Sequence, residues 1–151
     1  METQKIRGFE IVSEYLESGV TLPARQTSMS AGYDLAAAKD VLIKEGETAL
    51  VPTGVKAYFP PDEVLMIYIR SSLATKRNIT LANSVGVIDA DYYGNSENEG
   101  QIFLPLRNFG NSDILIKKGE RVAQGIFQKY LVVDNDAALK AHRQGGFGST
   151  G

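Results

Sequence analysis

The segment GVIDADYYGN, residues 86–95, holds the carboxylates that are best placed for catalysis. Asp89 directly follows Val87 and Ile88, and Asp91 stands two residues further along the chain. Alternation along a β-strand would place both carboxylates on one face of a sheet. The simplest interpretation is a hairpin with two solvated carboxylates. The alternative is that the apolar neighbours partly desolvate Asp89, which would suit a general base.

A second group of polar residues lies in IRSSLA, residues 69–74, where a strand is followed by a predicted helix. Arg70 ends the strand, and Ser71 and Ser72 open the helix. Free backbone N–H groups at a helix start, two hydroxyls and a guanidinium together make a good phosphate or oxyanion site. Helix capping alone would explain the serines, but it would leave the arginine without a role.

Two further polar residues stand inside apolar stretches. Asp34 lies in SAGYDLAAA, residues 30–38, where a strand begins and Gly32 permits the close approach of another segment. Gln124 lies within the apolar strand RVAQGIFQKY, residues 121–130, where its amide requires a hydrogen-bond partner. A core glutamine that is satisfied by its neighbours is the ordinary interpretation of this pattern.

The last ten residues, HRQGGFGSTG, place Phe147 among four glycines, with Arg143 before it and two hydroxyl residues after it. A disordered terminus is the ordinary interpretation of such a composition. His142 is the only histidine of the chain, and beside a glycine run we expect it to be solvated rather than a ligand. A functional role for this segment therefore depends on the other motifs.

The elements that must position these residues are mainly strands. Short stretches rich in β-branched and aromatic residues alternate with Gly, Pro, Asn and Asp, which predicts an all-β sandwich or barrel. We expect strands within residues 6–12, 49–59, 64–70, 101–107 and 121–133.

Residues 71–77, SSLATKR, are the one predicted helix. Ser71 or Ser72 is expected to cap its start, and Asn78 is expected to end it in the left-handed conformation. The segments VLIKEGETALV, from residue 41, and ILIKKGERVAQ, from residue 114, resemble each other. We interpret them as two similar hairpins within one domain, since two copies are too few for a solenoid.

The composition limits the classes of function. A chain of 151 residues is long enough to bury about 70% of the surface that it exposes when unfolded. The net charge of −2 gives no basic field for nucleic acid, and the absence of cysteine excludes thiol chemistry. The charged first residues do not suit a signal peptide, and no apolar run approaches membrane-spanning length. We therefore expect a soluble, cytoplasmic protein that binds neither nucleic acid nor membrane.

Taken in order, these segments resemble the five motifs of the homotrimeric dUTPase family: AGYDLAAA, RSSLA, GVIDADYYG, RVAQ and GGFGSTG. Each motif is weak alone, but the five in order cover the chain from about Leu22 to Gly151. The resemblance implies a β jelly roll with one short helix, assembled as a homotrimer with its sites at the subunit interfaces. It implies Mg²⁺-dependent hydrolysis of dUTP to dUMP and pyrophosphate. Residues 1–141 would form the β domain and residues 142–151 its mobile C-terminal lid.

The resemblance also implies how the third motif would bind the nucleoside. Residues 83–92 would be the hairpin that holds uracil, where a 5-methyl group would collide. Tyr92 would stack beneath the deoxyribose and leave no room for a 2′-OH. Asp89 would orient and deprotonate the water that attacks the α-phosphorus. The pyrimidine edge would be read by Asn83 and by the backbone of Gly86, Val87 and Ile88.

The other motifs would hold the triphosphate. Asp34 would fix a water in the shell of a Mg²⁺ ion that the triphosphate carries. Phe147 would stack on the uracil, and closure of the lid, which comes from a different subunit than the hairpin, would shed water. The phosphates would be bound by Arg70, Ser71, Ser72 and Gln124, and by Arg143, Gly148, Ser149 and Thr150 of the lid.

The chain departs from the family pattern in three places. Arg143 stands one position closer to the glycines than the family arginine, which shifts its phosphate contact. Ile69 and Ser72 replace the usual proline and glycine around the second motif. The loop GNSENEG, residues 94–100, is longer than usual, and the resemblance assigns it no function.

Two other functions are compatible with part of this pattern. A dCTP deaminase shares the fold and an Arg-Ser-Ser motif, but it requires a catalytic glutamate in the pyrimidine pocket and does not use the Asp-x-Asp-Tyr segment. A catalytically silent module that binds a nucleotide or a protein partner is the second alternative. The sequence also leaves open a regulatory partner for an active enzyme.

Overall fold

The apolar stretches of the sequence form short antiparallel strands, and the computed structural model describes residues 4–139. Within that range one short α-helix, α1 (Ser71–Lys76), and two 3-10 helices (Ser13–Tyr15 and Ala90–Tyr92) accompany the strands, so the predicted all-β fold with one short α-helix is confirmed. No helix among residues 4–139 is long and apolar enough to cross a bilayer. The strands are β1 (Gly8–Ile11), β2 (Tyr33–Ala36), β3 (Val41–Ile43), β4 (Thr48–Pro52), β5 (Val55–Tyr58), β6 (Glu63–Ile69), β7 (Ile79–Leu81), β8 (Gly86–Asp89), β9 (Phe103–Asn108), β10 (Ile114–Ile116) and β11 (Arg121–Lys129).

Within residues 4–139, four antiparallel sheets enclose one apolar core. The larger sheets have the strand orders β2-β11-β6-β8 and β4-β9-β7, and the smaller ones are β1-β5 and β10-β3. Strand β6 alternates buried and partly exposed residues, as a strand with one face on the core must. This arrangement is of the jelly-roll type. The core includes Leu35, Val51, Leu65, Ile67, Ile79, Leu104, Leu106 and Val122.

The two similar segments form turns as predicted, but they are not hairpins. Gly46 and Gly119 hold the turns with φ of 74° and 84°. The strand before each turn lies in the small sheet, where Leu42 of β3 faces Leu115 of β10. The strand after each turn lies in a large sheet, β4 beside β9 and β11 between β2 and β6. Insertion into a large sheet buries more apolar surface than a local hairpin does, so the predicted local pairing is wrong.

Several strand boundaries differ from the expected ones. The stretch 49–59 is divided into β4 and β5 by a turn at Gly54, whose φ is 72°. The stretch 121–133 ends as a strand at Lys129, and Leu131 to Val133 are exposed. Apolar composition alone therefore overestimates the length of the last strand.

Helix α1 forms where it was predicted, but its start is not capped by serine. Arg70 occupies the N-cap position in an extended conformation and makes no side-chain capping bond. Ser71 and Ser72 are instead the first two residues of the helix, so the predicted serine cap is wrong. Asn78 follows the helix with a φ of 55°, which confirms the predicted left-handed end.

Asn108 is a fully buried polar residue that ties the end of β9 to neighbouring segments. Its amide nitrogen donates to the carbonyl oxygens of Ile43 (3.0 Å) and Ser112 (2.8 Å). Its amide oxygen accepts from the backbone N–H of Gly110 at 3.0 Å. One side chain thus satisfies three backbone groups at a position where water does not reach them.

We expect Asn108→Ala to lower the free energy of unfolding by about 2–3 kcal/mol, because buried backbone groups lose their partners. Asn111→Ala, at an exposed position of the following turn, is the matched control. Denaturant unfolding of both variants at one protein concentration measures the difference. Equal stability of the two variants would contradict a structural role for the buried amide.

Candidate active site

Strand β8, which carries the third motif, is the outermost strand of its sheet within residues 4–139. It pairs with β6, where Gly86 faces Ile67 and Asp89 faces Val64. A Cβ atom at position 86 would lie 2.9 Å from the Cβ atom of Ile67, so only glycine permits this approach. Val87 is 58% exposed. The outer edge of β8 therefore presents backbone groups and an apolar side chain to a ligand.

Asn83 lies in the turn that leads into β8, and it is exposed. The backbone N–H of Val85 donates to the carbonyl of Asn83 at 2.8 Å, and Ser84 has a φ of 66°. The strands on either side of this turn lie in different sheets, since β7 pairs with β9 and β8 pairs with β6. Residues 83–92 therefore do not form the expected hairpin, since they contain one strand, β8, followed by a 3-10 helix.

Asp89 is the last residue of β8, and the chain then turns into a 3-10 helix over Ala90–Tyr92. The sequence pattern predicted that the two carboxylates would be alternate residues of one strand. Asp91 instead belongs to the 3-10 helix, so this prediction is wrong. Asp89 is exposed in the single chain, as is the neighbouring Val87. The alternative in which adjacent apolar residues partly desolvate Asp89 is not observed, because Asp89 and Val87 lie on an outermost strand and are exposed.

Tyr92 is 93% buried, and its hydroxyl both donates and accepts a hydrogen bond. It donates to the carbonyl oxygen of Gln101 at 2.5 Å and accepts from the side-chain nitrogen of Asn98 at 2.9 Å. The next residue, Tyr93, donates its hydroxyl to the carboxylate of Glu10, which raises the pKa of Tyr93. Both tyrosines are thus held at their hydroxyl ends.

Motifs one, two and four meet through strand pairing. In the large sheet Gln124 of β11 faces Asp34 of β2 on one side and Tyr68 of β6 on the other. Arg70 follows β6 directly, and its backbone N–H donates to the carbonyl of Val122 at 3.1 Å. The ladder thus brings Asp34, Gln124 and the Arg-Ser-Ser segment to one end of the sheet.

The side chain of Gln124 packs against Gly32, where the sequence predicted a close approach. A Cβ atom at position 32 would lie 2.2 Å from the side-chain oxygen of Gln124. Within residues 4–139 this half-buried amide makes no hydrogen bond to another residue. The described part of the chain does not supply the expected partner, so the amide can bind a ligand.

Asp34 lies in a polar environment beside a cavity of about 300 Å³. Its carboxylate accepts from the amide of Gln26 at 2.7 Å and from the guanidinium of Arg121 at 3.2 Å. Sequence reasoning missed both partners, although Arg121 heads the RVAQ motif. Among the described residues no group of three or more His, Cys, Asp or Glu side chains could hold a metal ion. The single carboxylate of Asp34 suits a Mg²⁺ ion that already carries most of its oxygen ligands when it binds.

The two groups of residues lie at opposite ends of strand β6. Asp89 faces Val64 near its start, whereas Arg70 follows its last residue, Ile69. Six residues of extended chain separate Val64 from Arg70, which corresponds to roughly 20 Å. Asp89 and Arg70 of one chain are therefore too far apart to act on the same phosphorus atom.

The start of β6, beside Asp89, is fixed by an ion pair. The guanidinium of Arg7 donates two hydrogen bonds to Glu63, one of them at 2.5 Å, and the Glu63 carboxylate is largely buried. The hydrogen bond from Arg7 holds the pKa of Glu63 below its ordinary value. The carboxylate is therefore ionised at neutral pH, and the pair anchors β6, the strand against which β8 with Asp89 is paired.

The predicted residues of the last motif lie outside the described residues. They are His142, which we expected to be solvated, and the predicted ligand-binding residues Arg143, Phe147, Gly148, Ser149 and Thr150.

Comparisons with known proteins agree on one family. The dUTPase family model matches residues 19–151. A deoxyuridine 5′-triphosphate nucleotidohydrolase of Lactococcus lactis is 53% identical over 148 residues, covering 97% of this chain and 99% of the relative. The crystal structure of a dUTPase from Streptococcus mutans superposes with a TM-score of 0.81 at 46% identity, covering 85% of this chain and 99% of the other. A dUTPase from phage phi11 of S. aureus, at 18% identity, shares the fold with a TM-score of 0.74 over 90% of this chain and 97% of its own.

Proposed function

The chain belongs to the dUTPase family and is a dUTP diphosphatase, and we propose that Asp89 activates the water that attacks the α-phosphorus of dUTP. The products are dUMP and pyrophosphate. The observation that carries this proposal is the placement of Asp89 at the end of the outermost strand β8, directly after a backbone edge suited to a pyrimidine. A cytoplasmic location remains a prediction from the sequence.

The pyrimidine pocket is proposed to lie along β8 and the preceding turn. The exposed side chain of Asn83 and the backbone of Gly86 to Ile88 present the donors and acceptors that a uracil edge requires. Tyr92 ends the 3-10 helix that follows β8 and is fixed at its hydroxyl, so its ring forms a rigid floor for the sugar. A rigid floor rejects a ribose because the added 2′-OH has no space to enter.

The phosphate site is proposed to come from a neighbouring chain of a homotrimer. Arg70 and the Gln124 amide lie at the far end of β6 from Asp89 in the same chain. A base must lie within hydrogen-bond reach of its water, and the phosphate ligands must contact the same substrate. A second subunit satisfies both requirements. The phosphates are bound by Arg70, Ser71, Ser72 and Gln124.

Asp34 is proposed to hold a water of a Mg²⁺ ion bound to the triphosphate. When bound, the ion would neutralise the negative charge of the phosphates while pyrophosphate leaves. The hydrogen bond from Gln26 and the ion pair with Arg121 orient the Asp34 carboxylate towards the cavity at this end of the sheet. These contacts keep one carboxylate in place without creating a complete metal site.

Asp89 is proposed to take the proton of the attacking water. An exposed carboxylate in the single chain is accessible to a substrate that a second subunit delivers. As the oxygen of the water bonds to the α-phosphorus, its proton passes to Asp89 and the bond to the pyrophosphate oxygen breaks. The protonated carboxyl group returns the proton to solvent.

We expect hydrolysis of dUTP, with dUMP and pyrophosphate as products, and little turnover of dTTP, UTP or dCTP. We expect this selectivity because the proposed pocket along β8 and Tyr92 leaves no space for a 5-methyl group or a 2′-OH. Pyrophosphate and ammonia release with each nucleotide and Mg²⁺ provide the measurement. Comparable turnover of dTTP or UTP would contradict the pocket, and ammonia from dCTP would indicate the deaminase. Tight binding without any product would indicate a silent module.

We expect Asp89→Asn to reduce turnover by roughly 10²–10⁴, because the amide keeps the size of the side chain but cannot accept the proton. Binding of dUTP and the oligomeric state should be unchanged. Asp91→Asn, the same change two residues away, is the control and should retain near-normal turnover. If the effects of the two variants are reversed, the base is Asp91.

We propose that residues 142–151 of one subunit form a lid over the site that contains Asp89 of another subunit. The support is their composition, in which Phe147 and Arg143 stand among glycines and hydroxyl residues. Phe147 stacks on the uracil, and Arg143, Gly148, Ser149 and Thr150 contact the phosphates. Closure removes water and completes the site.

We expect deletion of residues 143–151 to abolish turnover while folding and assembly persist. Phe147→Ala should have a milder effect, since stacking on a base contributes about 1–3 kcal/mol. Trimers mixed from truncated subunits and Asp89→Asn subunits should regain activity that neither parent has. Full activity of the truncated protein would show that the segment has no role in catalysis. Verified mixed trimers without activity would place lid and base on one chain.

A further inference from the structure

The loop of residues 94–100, to which the family resemblance assigns no function, is closed by its own hydrogen bonds. The backbone N–H of Gly94 donates to the carbonyl of Glu99 at 2.9 Å, and that of Glu99 donates to the carbonyl of Asn95 at 2.8 Å. The side-chain oxygen of Asn98 accepts from the backbone N–H of Gly100 at 2.9 Å. These bonds give the loop one defined conformation.

The loop is also anchored to the body of the fold. The carboxylate of Glu99 accepts from the backbone N–H of Ser13 at 3.3 Å and from the ammonium of Lys56 in β5 at 3.1 Å. The pKa of Glu99 is lowered, first by the hydrogen bond from Ser13 and then by that from Lys56. The nitrogen of Lys56 also lies 5.3 Å from the ring centre of Tyr93. Lys56 therefore contacts both ends of residues 93–99, the segment that directly follows Tyr92.

From this anchored position the loop contacts the hydroxyl of Tyr92. Asn98 donates its side-chain N–H to that hydroxyl, and the hydroxyl donates to the carbonyl of Gln101, the residue that follows the loop. Gly100 has a φ of 91°, and a Cβ atom there would lie 2.7 Å from the carbonyl oxygen of Tyr92. The loop thus packs against both the backbone and the phenol end of Tyr92.

We propose that Asn98 is a positioning residue that fixes the Tyr92 ring and so sets discrimination against ribonucleotides. This inference rests on the proposed role of Tyr92 as the floor of the sugar site. The 3-10 helix after β8 and the hydrogen bond from the Asn95 N–H to the Tyr92 carbonyl (3.1 Å) hold the backbone end of Tyr92, and a hydroxyl that both donates and accepts cannot shift without losing a bond. A ring fixed at both ends cannot retreat to admit a 2′-OH. Loss of the Asn98 contact removes one restraint on the hydroxyl, so a shift of the ring by the fraction of an ångström that a 2′-OH requires becomes less costly.

The test is the ratio of kcat/KM for dUTP to kcat/KM for UTP. Asn98→Asp keeps the oxygen that binds the Gly100 N–H but replaces the donor with a second acceptor. We expect the ratio to fall roughly three- to tenfold, the range for loss of one neutral hydrogen bond. Ser96→Ala, at an exposed position of the same loop, is the control and should leave the ratio unchanged. If Asn98→Asp does not fold, Asn98→Ala provides a second test of the same contact.

A double-mutant cycle with Tyr92→Phe separates positioning from general support of the loop. If Asn98 acts through the phenol hydroxyl, Asn98→Asp should not change the ratio further once that hydroxyl is absent. An unchanged ratio in Asn98→Asp, or a full effect that persists beside Tyr92→Phe, would overturn the inference. Absence of any preference for dUTP in the unaltered protein would overturn the proposed function as well. An undiminished preference for dUTP over UTP in both Asn98 variants would overturn this inference but not the proposed function.

Discussion

The register of strand β6 against its two neighbours is the constraint on which both halves of the site depend. Because side chains alternate along a strand, a slip of one residue would turn every core side chain outward. Leu65 and Ile67 are buried and hold the register from the core side. Gly86 on one flanking strand approaches Ile67, and Gly125 on the other approaches Leu65, where a Cβ atom would lie 3.0 Å from a methyl carbon. Larger residues at these two positions would push the ladder apart.

Under the proposed function, a consequence of this fixed register is that catalysis depends on assembly. A rigid strand keeps Asp89 and Arg70 at opposite ends of the same sheet, so no movement of loops within one chain brings them together. The proposed homotrimer solves this problem by joining one end of the sheet to the opposite end of a neighbour's. Under that arrangement a monomer is a folded protein with two incomplete sites. Substrate binding also stabilises the assembled state, because a ligand that contacts two chains favours their association.

Local signals in the sequence predicted the elements of the fold but not their partners. The strands, helix α1, the left-handed Asn78 and the close contact at Gly32 follow from residue types and short-range sterics. The choice of β10 as the partner of β3, and the absence of a hairpin before β8, depend on where distant strands bury their apolar faces. The predicted serine cap failed because Arg70 occupies the N-cap position. Hydrogen bonds such as those of Asn108 and Asn98 leave no periodic pattern in the sequence.

The sequence predicts that the loop of residues 94–100 is longer than its counterpart in the family, and its proposed role shows how added chain length could act without disturbing the scaffold. Lengthening a surface connection costs little conformational entropy, so extra residues are tolerated between the 3-10 helix and β9. Anchoring by Glu99 and Lys56 restricts the loop to one conformation, and the side chain of Asn98 then meets the Tyr92 hydroxyl. The 3-10 helix after β8 places the backbone of Tyr92, whereas its hydroxyl is held by contacts with Asn98 and Gln101. The position of the phenol therefore depends on a segment that lies outside the family motifs, and selectivity for the sugar can change there while the catalytic residues stay the same.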